Sequence, residues 1–182
     1  MTVVKALTHS GTHWDAEKHL GRGGRGITDY PLETFIGDCV VIDVSDREEG
    51  GVVPEDIEGR VELGDRVLFK TRNSRRGFRI WDPHYAGVTG AAAVTLQEVG
   101  VRAVDIDSLS IRHPGEDNTS HEVLLQSGIP ILEGINLSDA EAGRYMLSAA
   151  PLPYTGLDGA PTRAVLMRFE QGFLHRNVSL VV

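Results

Sequence analysis

The sequence predicts an α/β fold, a single domain over residues 1–182 with a mixed central β-sheet flanked by a few helices. Three observations lead there. Short apolar runs bounded by glycine and proline recur along the chain, among them Asp38–Val44, Arg66–Thr71, Val101–Ile106 and Ile129–Leu132. Only Gly90–Val99 carries a full set of helix signals, with Thr89 to cap it and Gly100 to close it. With 182 residues, 41% of them hydrophobic and 24% charged, the chain can bury a substantial core without disulfides.

The elements follow in order. Val3–Leu7 is a short apolar lead, and the glycine-rich run 21–26 is a loop whose Arg22 and Arg25 could meet an anionic or aromatic substrate. Asp38–Val44 is a buried strand and Asp46–Gly51 an acidic turn. Pro54–Glu58 starts a short helix, with proline early and acids in the first turn. Gly64-Asp65 turns into the alternating strand Arg66–Thr71, and the arginine-rich stretch Arg72–Arg79 reads as a solvated loop. After the helix Gly90–Val99 come the strand Val101–Ile106, a short helix Glu122–Ser127 ended by Gly128, and the strand Ile129–Leu132. Ser138 caps a short acidic helix running to about Arg144. Met146–Pro151 and Ala164–Phe169 complete the strands.

Composition excludes several functions. The net charge of −8 argues against binding a phosphate backbone, so no nucleic-acid partner is expected. No apolar run reaches spanning length and Met1 is not followed by a basic-then-hydrophobic leader, so neither a membrane nor export is expected. Cys39 is the single cysteine and opens an apolar run, where a buried, inert thiol is expected. A lone cysteine also speaks against a thiolate-rich structural zinc site and for a reducing, cytoplasmic setting.

Chemistry concentrates near the start. His9, His13, Asp15 and His19 fall within eleven residues, in the run His-Ser-Gly-Thr-His-Trp-Asp-Ala-Glu-Lys-His. Imidazole and carboxylate are the ligands preferred by zinc, and by manganese where oxygen dominates. The spacing of His9 and His13 occurs on zinc-binding helices, but Gly11 and Thr12 between them are poor helix formers. Residues 9, 11, 13 and 15 share strand parity, so an extended or tightly looped backbone can aim His9, His13 and Asp15 together. Gly11 would let the backbone pass close to a metal. Trp14 then faces the other way, into the core or a pocket wall. Two histidines and one carboxylate leave a catalytic shell unfinished. Candidates to complete it are His121, at the head of a short helix, and Glu133, directly after an apolar strand. An ion pair or cap contact would explain Glu133 equally well.

These residues resemble the signature of the cyclase family, which includes bacterial kynurenine formamidases and isatin hydrolases. Its run His-x-Gly-Thr-His-x-Asp-x-Pro-x-His is matched by His9, Gly11, Thr12, His13, Asp15 and His19. A histidine followed by an apolar strand ending in glutamate is matched by His121 and Ile131-Leu132-Glu133. Similar stretches include Pro31-Leu32-Glu33, Gly37–Val44, Leu63-Gly64-Asp65, Asp105-Ile106-Asp107 and Asp158–Ala164. The resemblance covers nearly the whole chain and implies the family's swivelling β/β/α architecture.

It also implies a site and a reaction. Two divalent ions, zinc or manganese, would lie side by side, with His9 and His13 on one, His121 on the other, and Asp15 and Glu133 serving both. His19 would be the acid–base that is not a ligand. It would accept a proton from water and pass it to the departing nitrogen. The implied substrate is a small aromatic amide or formamide, of the N-formylkynurenine type. Isatin-type opening of a cyclic amide is the second reading, and a truncated homologue that binds metal without turnover the third. The resemblance implies a homodimer or larger homo-oligomer. Two departures stand out. Glu17 replaces the family's proline in the loop that carries His19. The strand and loop that precede the signature in relatives, with an aromatic residue that contacts substrate, have no match here. A misassigned start, a fragment, or a pocket completed by a neighbouring subunit would each account for that. His113 competes with His121, but His121 lies twelve residues before Glu133, as in the family. His84 is expected at the surface or supporting a ligand, and His175 in solvent or at an oligomer contact.

Overall fold

Nine strands hydrogen-bond into one sheet in the computed structural model, which describes residues 1–21, 23–76, 82–169 and 178–181. They are β1 (His13–Asp15), β2 (Ile36–Asp43), β3 (Arg66–Lys70), β4 (Ala103–Ile106), β5 (Ile131–Glu133), β6 (Gly143–Ser148), β7 (Gly159–Pro161), β8 (Val165–Phe169) and β9 (Val178–Val181). Among the described residues three α-helices accompany them: α1 (Asn73–Arg76), α2 (Gly90–Val99) and α3 (Thr119–Gln126). The lateral order is β7-β1-β5-β4-β3-β2-β6-β8-β9. The middle four strands are parallel. β1 and β7 extend one side and β6, β8 and β9 the other, all antiparallel. This is the mixed sheet with few helices that the sequence predicts.

Strand alternation sorts the core into two layers. On one face Val40, Ile42, Val67, Phe69, Val104, Ile106 and Ile131 pack under α2 and α3. On the other, Trp14, Phe35, Val41, Leu68, Leu132, Leu147 and Leu166 form a second cluster. α2 starts and stops where its signals say. The Thr89 side chain accepts from the Ala92 amide at 3.2 Å, and Gly100 takes the left-handed conformation at φ 77°.

The sheet curls. β1 and β6 stand five positions apart in the strand order, roughly 24 Å if the sheet were flat. Yet the Trp14 indole Nε1 donates to the Ala149 carbonyl, just beyond β6, at 2.6 Å. The Leu152 amide likewise donates to the Pro161 carbonyl of β7 at 3.1 Å. Trp14 is thus a fully buried pin that draws the two ends of the sheet together.

Some expectations need correction. Residues 138–142 form no helix. The Asn136 side chain accepts from the Ser138 amide at 3.1 Å, making an Asx turn, and Gly143 then opens β6. Nor is the Arg72–Arg79 stretch wholly solvated. Arg72 is buried, its guanidinium donating to the Gly50 and His84 carbonyls at 2.7 Å each, and Asn73 and Ser74 are buried beside it. Arg22, Arg79 and His175 lie outside the described residues. No helix is long and apolar enough to cross a membrane among the described residues.

Two aspartates on or after β4 differ sharply. Asp107 accepts from the Thr71 and Ser74 amides and hydroxyls and from Asn73, which fixes the turn after β3. Asp105 is buried with both oxygens unpartnered, in register between Leu68 and Leu132. Burial, and then the nearby Asp107, push its carboxyl well above the ordinary range. The folded chain therefore retains a proton that the unfolded chain releases, so this site's stability falls as pH rises through that window. Asp105→Val is expected to raise the thermal midpoint at pH 8 by more than at pH 5. Equal midpoints of variant and parent at both pH values would count against this.

Candidate metal centre

β1 is only three residues long, and its register sets the site. His13 lies opposite Glu133 of β5, and Asp15, two residues on, shares its face. The chain reaches β1 through a turn at Gly11, whose φ of 69° favours glycine; the reason is this backbone conformation, since nothing crowds the position where a Cβ would sit. The Gly11 carbonyl accepts from His13 Nδ1 at 2.9 Å, which leaves His13 Nε2 facing the carboxylates. That nitrogen lies 3.3 Å from Asp15 Oδ1 and 3.6 Å from Glu133 Oε2. From α3, His121 brings its Nε2 to 3.3 Å from Glu133 Oε1 and 3.7 Å from Asp15 Oδ2. His13, Asp15, His121 and Glu133 are buried and form the floor.

His9 and His19 form the rim. His9 Nδ1 lies 2.6 Å from Asp15 Oδ1, and its Nε2 is 3.1 Å from His19 Nδ1. His19 rides on the short 3₁₀ turn Glu17–Leu20. Glu17, where the family's proline stands, accepts from the Arg25 amide and guanidinium at 3.3 and 3.2 Å, so it ties the glycine-rich loop to that turn.

The electrostatics follow from these distances. Burial alone would raise Asp15, but the His121, His13 and His9 imidazoles close against it hold it well below the ordinary range. Glu133 goes up, from burial first and from the Asp15 charge next. Burial would lower His9 and His121, yet the carboxylates outweigh it and raise each to about 9. His19 goes the other way. Burial lowers it, and the neighbouring His9 and His121 charges help against the pull of Asp15 and Asp158.

A divalent cation fits this arrangement. His13 Nε2 and Asp15 Oδ2 are buried without a hydrogen-bond partner. The field that draws protons onto His9 and His121 would equally draw a metal ion, which would displace those protons. Two ligand sets lie within 4.8 Å internally: His9, Asp15 and His19, and His13, Asp15 and Glu133. Asp15 belongs to both. The resemblance pairs His9 with His13 and keeps His19 off the metal, whereas this geometry puts His9 and His13 in different sets and His19 beside His9.

The Cyclase family model matches residues 2–113. The chain belongs to the cyclase family. A kynurenine formamidase from Salinibacter ruber is 38% identical over 90% of this chain and 77% of its own length. A solved structure described as a potential metal-dependent hydrolase with cyclase activity superimposes with a TM-score of 0.84 at 34% identity, covering 90% of this chain and 81% of that one. Isatin hydrolase A from Labrenzia aggregata superimposes with a TM-score of 0.75 at 27% identity, over 86% and 72% of the two chains.

Of the seven histidines, the cyclase-family residues His9, His13, His19 and His121 come together, along with Asp15 and Glu133. His113 does not join them; its Nδ1 accepts weakly from the Gly87 amide at 3.4 Å. With His84 it lines a separate cavity of about 520 Å³. Sequence reasoning missed Asp158, whose Oδ2 lies 2.9 Å from His9 Nε2. It sits in a stretch matched to the family, but 149 residues from its partner no local spacing links them. Cys39 is buried and its thiol is pushed up to about 12, chiefly by burial.

Glu133→Gln is expected to lower the zinc or manganese held per chain, because it removes one of the two floor charges that oppose the ion. Elemental analysis of the purified variant tests this. Unchanged stoichiometry would reduce Glu133 to an ion-pair partner of His121.

Proposed function

We propose that this chain is a metal-dependent amidohydrolase that cleaves the C–N bond of an N-formyl aromatic amine, as in conversion of N-formylkynurenine to kynurenine. The observation that carries the reading is His19 set against His9, 3.1 Å away, at the open rim of a buried carboxylate–histidine floor. The likeness to kynurenine formamidase over 90% of the chain supports the substrate class.

His9, His13, Asp15, His121 and Glu133 would hold the metal. Asp15 lies against His9, His13 and His121 and could serve two ions per chain, zinc or manganese, as the family resemblance implies. Divalent ions in such a site supply Lewis acidity, which polarises an amide carbonyl and acidifies water. His19, kept neutral, accepts the proton of the attacking water and delivers it to the nitrogen as the C–N bond breaks. The products are formate and the free arylamine. The burial of the floor excludes bulk water, while the partial exposure of His9 and His19 leaves the approach open to substrate.

Ring opening of an isatin-like lactam is the second reading, favoured by the superposition on isatin hydrolase A. The same groups serve it, with both products of the cleavage retained in one molecule. We place the enzyme in the cytoplasm, as one domain that works as a homodimer or larger homo-oligomer.

Elemental analysis comes first, with about two ions per chain expected. Hydrolysis of N-formylkynurenine is then compared with that of isatin, each with added zinc or manganese. Faster turnover of isatin would shift the assignment to the lactam, and turnover of neither would sink both. His19→Ala should keep its metal and lose about 10²–10⁴-fold in turnover. Full activity in that variant would remove His19 from the chemistry.

A further inference from the structure

We propose that Asp158 is a positioning residue of the metal centre, holding the outer nitrogen of His9 so that the inner one is presented to the ion. This rests on the metal-site reading above. Both nitrogens of His9 face carboxylates: Nδ1 lies 2.6 Å from Asp15 Oδ1, and Nε2 lies 2.9 Å from Asp158 Oδ2. Asp15 belongs to both ligand sets and Asp158 to neither, so the two contacts have different jobs. A histidine that binds metal through one nitrogen commonly donates its other N–H to a carboxylate, which fixes the tautomer and the ring orientation. Asp158 supplies that acceptor.

Asp158 is itself held from several directions. Its Oδ1 accepts from the Thr8 hydroxyl at 3.0 Å, which reserves Oδ2 for His9. Its backbone carbonyl accepts from the Ala16 amide at 2.8 Å, and the neighbouring Leu157 carbonyl from Ile27 at 3.0 Å. The next residue must be glycine. A Cβ at Gly159 would lie 2.4 Å from the Trp14 carbonyl oxygen and 2.9 Å from His9 Cε1. The loop before β7 can therefore close directly onto the His9 ring. Asp158 Oδ2 also stands 3.8 Å from His19 Nδ1, so the ring it holds is the one His19 rests against.

Zinc affinity of the full chain, read by competition with a chromophoric chelator, tests the role without recourse to turnover. Asp158→Ala should weaken zinc binding about 10–100-fold with no change in the number of ions at saturation. Asp158→Asn, which keeps the shape and loses the charge, should fall between that variant and the parent. Thr8→Val should cost about 2–10-fold, the scale of one lost hydrogen bond, because it frees the carboxylate to turn. A role as mere nearby charge would leave Thr8→Val at the parental affinity and overturn positioning. Loss of a whole zinc equivalent in Asp158→Ala would make Asp158 a ligand, which also overturns it, as would an affinity within about twofold of the parent. A parent chain that binds zinc tightly but hydrolyses neither substrate would defeat the proposed reaction while leaving this role intact. A parent that takes up no metal would defeat both.

Discussion

The structure depends on keeping two carboxylates, Asp15 and Glu133, buried side by side. They come from adjacent antiparallel strands, on the face of the sheet that α3 covers. Two like charges in a medium of low dielectric repel strongly, and each also loses hydration. Such a pair is tenable when one member keeps a proton, or when positive charge is concentrated within a few ångströms. Three imidazoles supply some of it, from the turn before β1, from β1 itself and from α3. The unpartnered His13 Nε2 and Asp15 Oδ2 mark where protein groups alone leave the balance unfinished.

That requirement explains why so much of the fold converges on a three-residue strand. β1 is too short to persist alone, and every residue in it is committed. His13 and Asp15 face the site, while Trp14 faces the opposite core layer and ties β1 to the segment beyond β6. β5 and β7 flank it on both sides, and the Thr12 hydroxyl donates to the Gly134 carbonyl at 2.7 Å just past Glu133. The curl of the sheet and the rigidity of the site share this one anchor. A change at Trp14 would thus reach the ligands through the backbone, although its side chain never touches them.

What could be read from the sequence, and what could not, divides along the range of the interactions. α2 was legible because Thr89 and Gly100 are local signals that act within one turn. The parallel strands were legible as apolar runs, since both faces of the middle of the sheet are covered. β1 and β7 were not predicted as strands, because three residues carry no period. The helix expected after Ser138 failed for the opposite reason. Its cap signal is local, and the chain instead makes an Asx turn at Asn136 and then pairs with β2 as β6. Arg72 looked solvated because the carbonyls that satisfy it come from distant loops. At the site, the clustered histidines spoke for themselves, and the family resemblance brought in His121 and Glu133. Asp158 stayed invisible, since its meaning arises only when β7 pairs with β1.

The histidines show how one residue type takes different tasks in one site. His9 and His121 each lie against two carboxylates, and both are raised to about 9. His19 stands one layer further out, with the rings of His9 and His121 at 4.2 and 5.8 Å. Asp158 Oδ2 stands 3.8 Å from it, but burial, with the two neighbouring imidazoles, lowers it. Two of these imidazoles are thus drawn towards the charged form and the third towards the neutral one. A carboxylate pair that were less buried would pull less on the inner imidazoles, and the contrast between the layers would fade. The burial that makes Asp15 and Glu133 costly to hold is therefore also what sets His9 and His121 apart from His19 in charge.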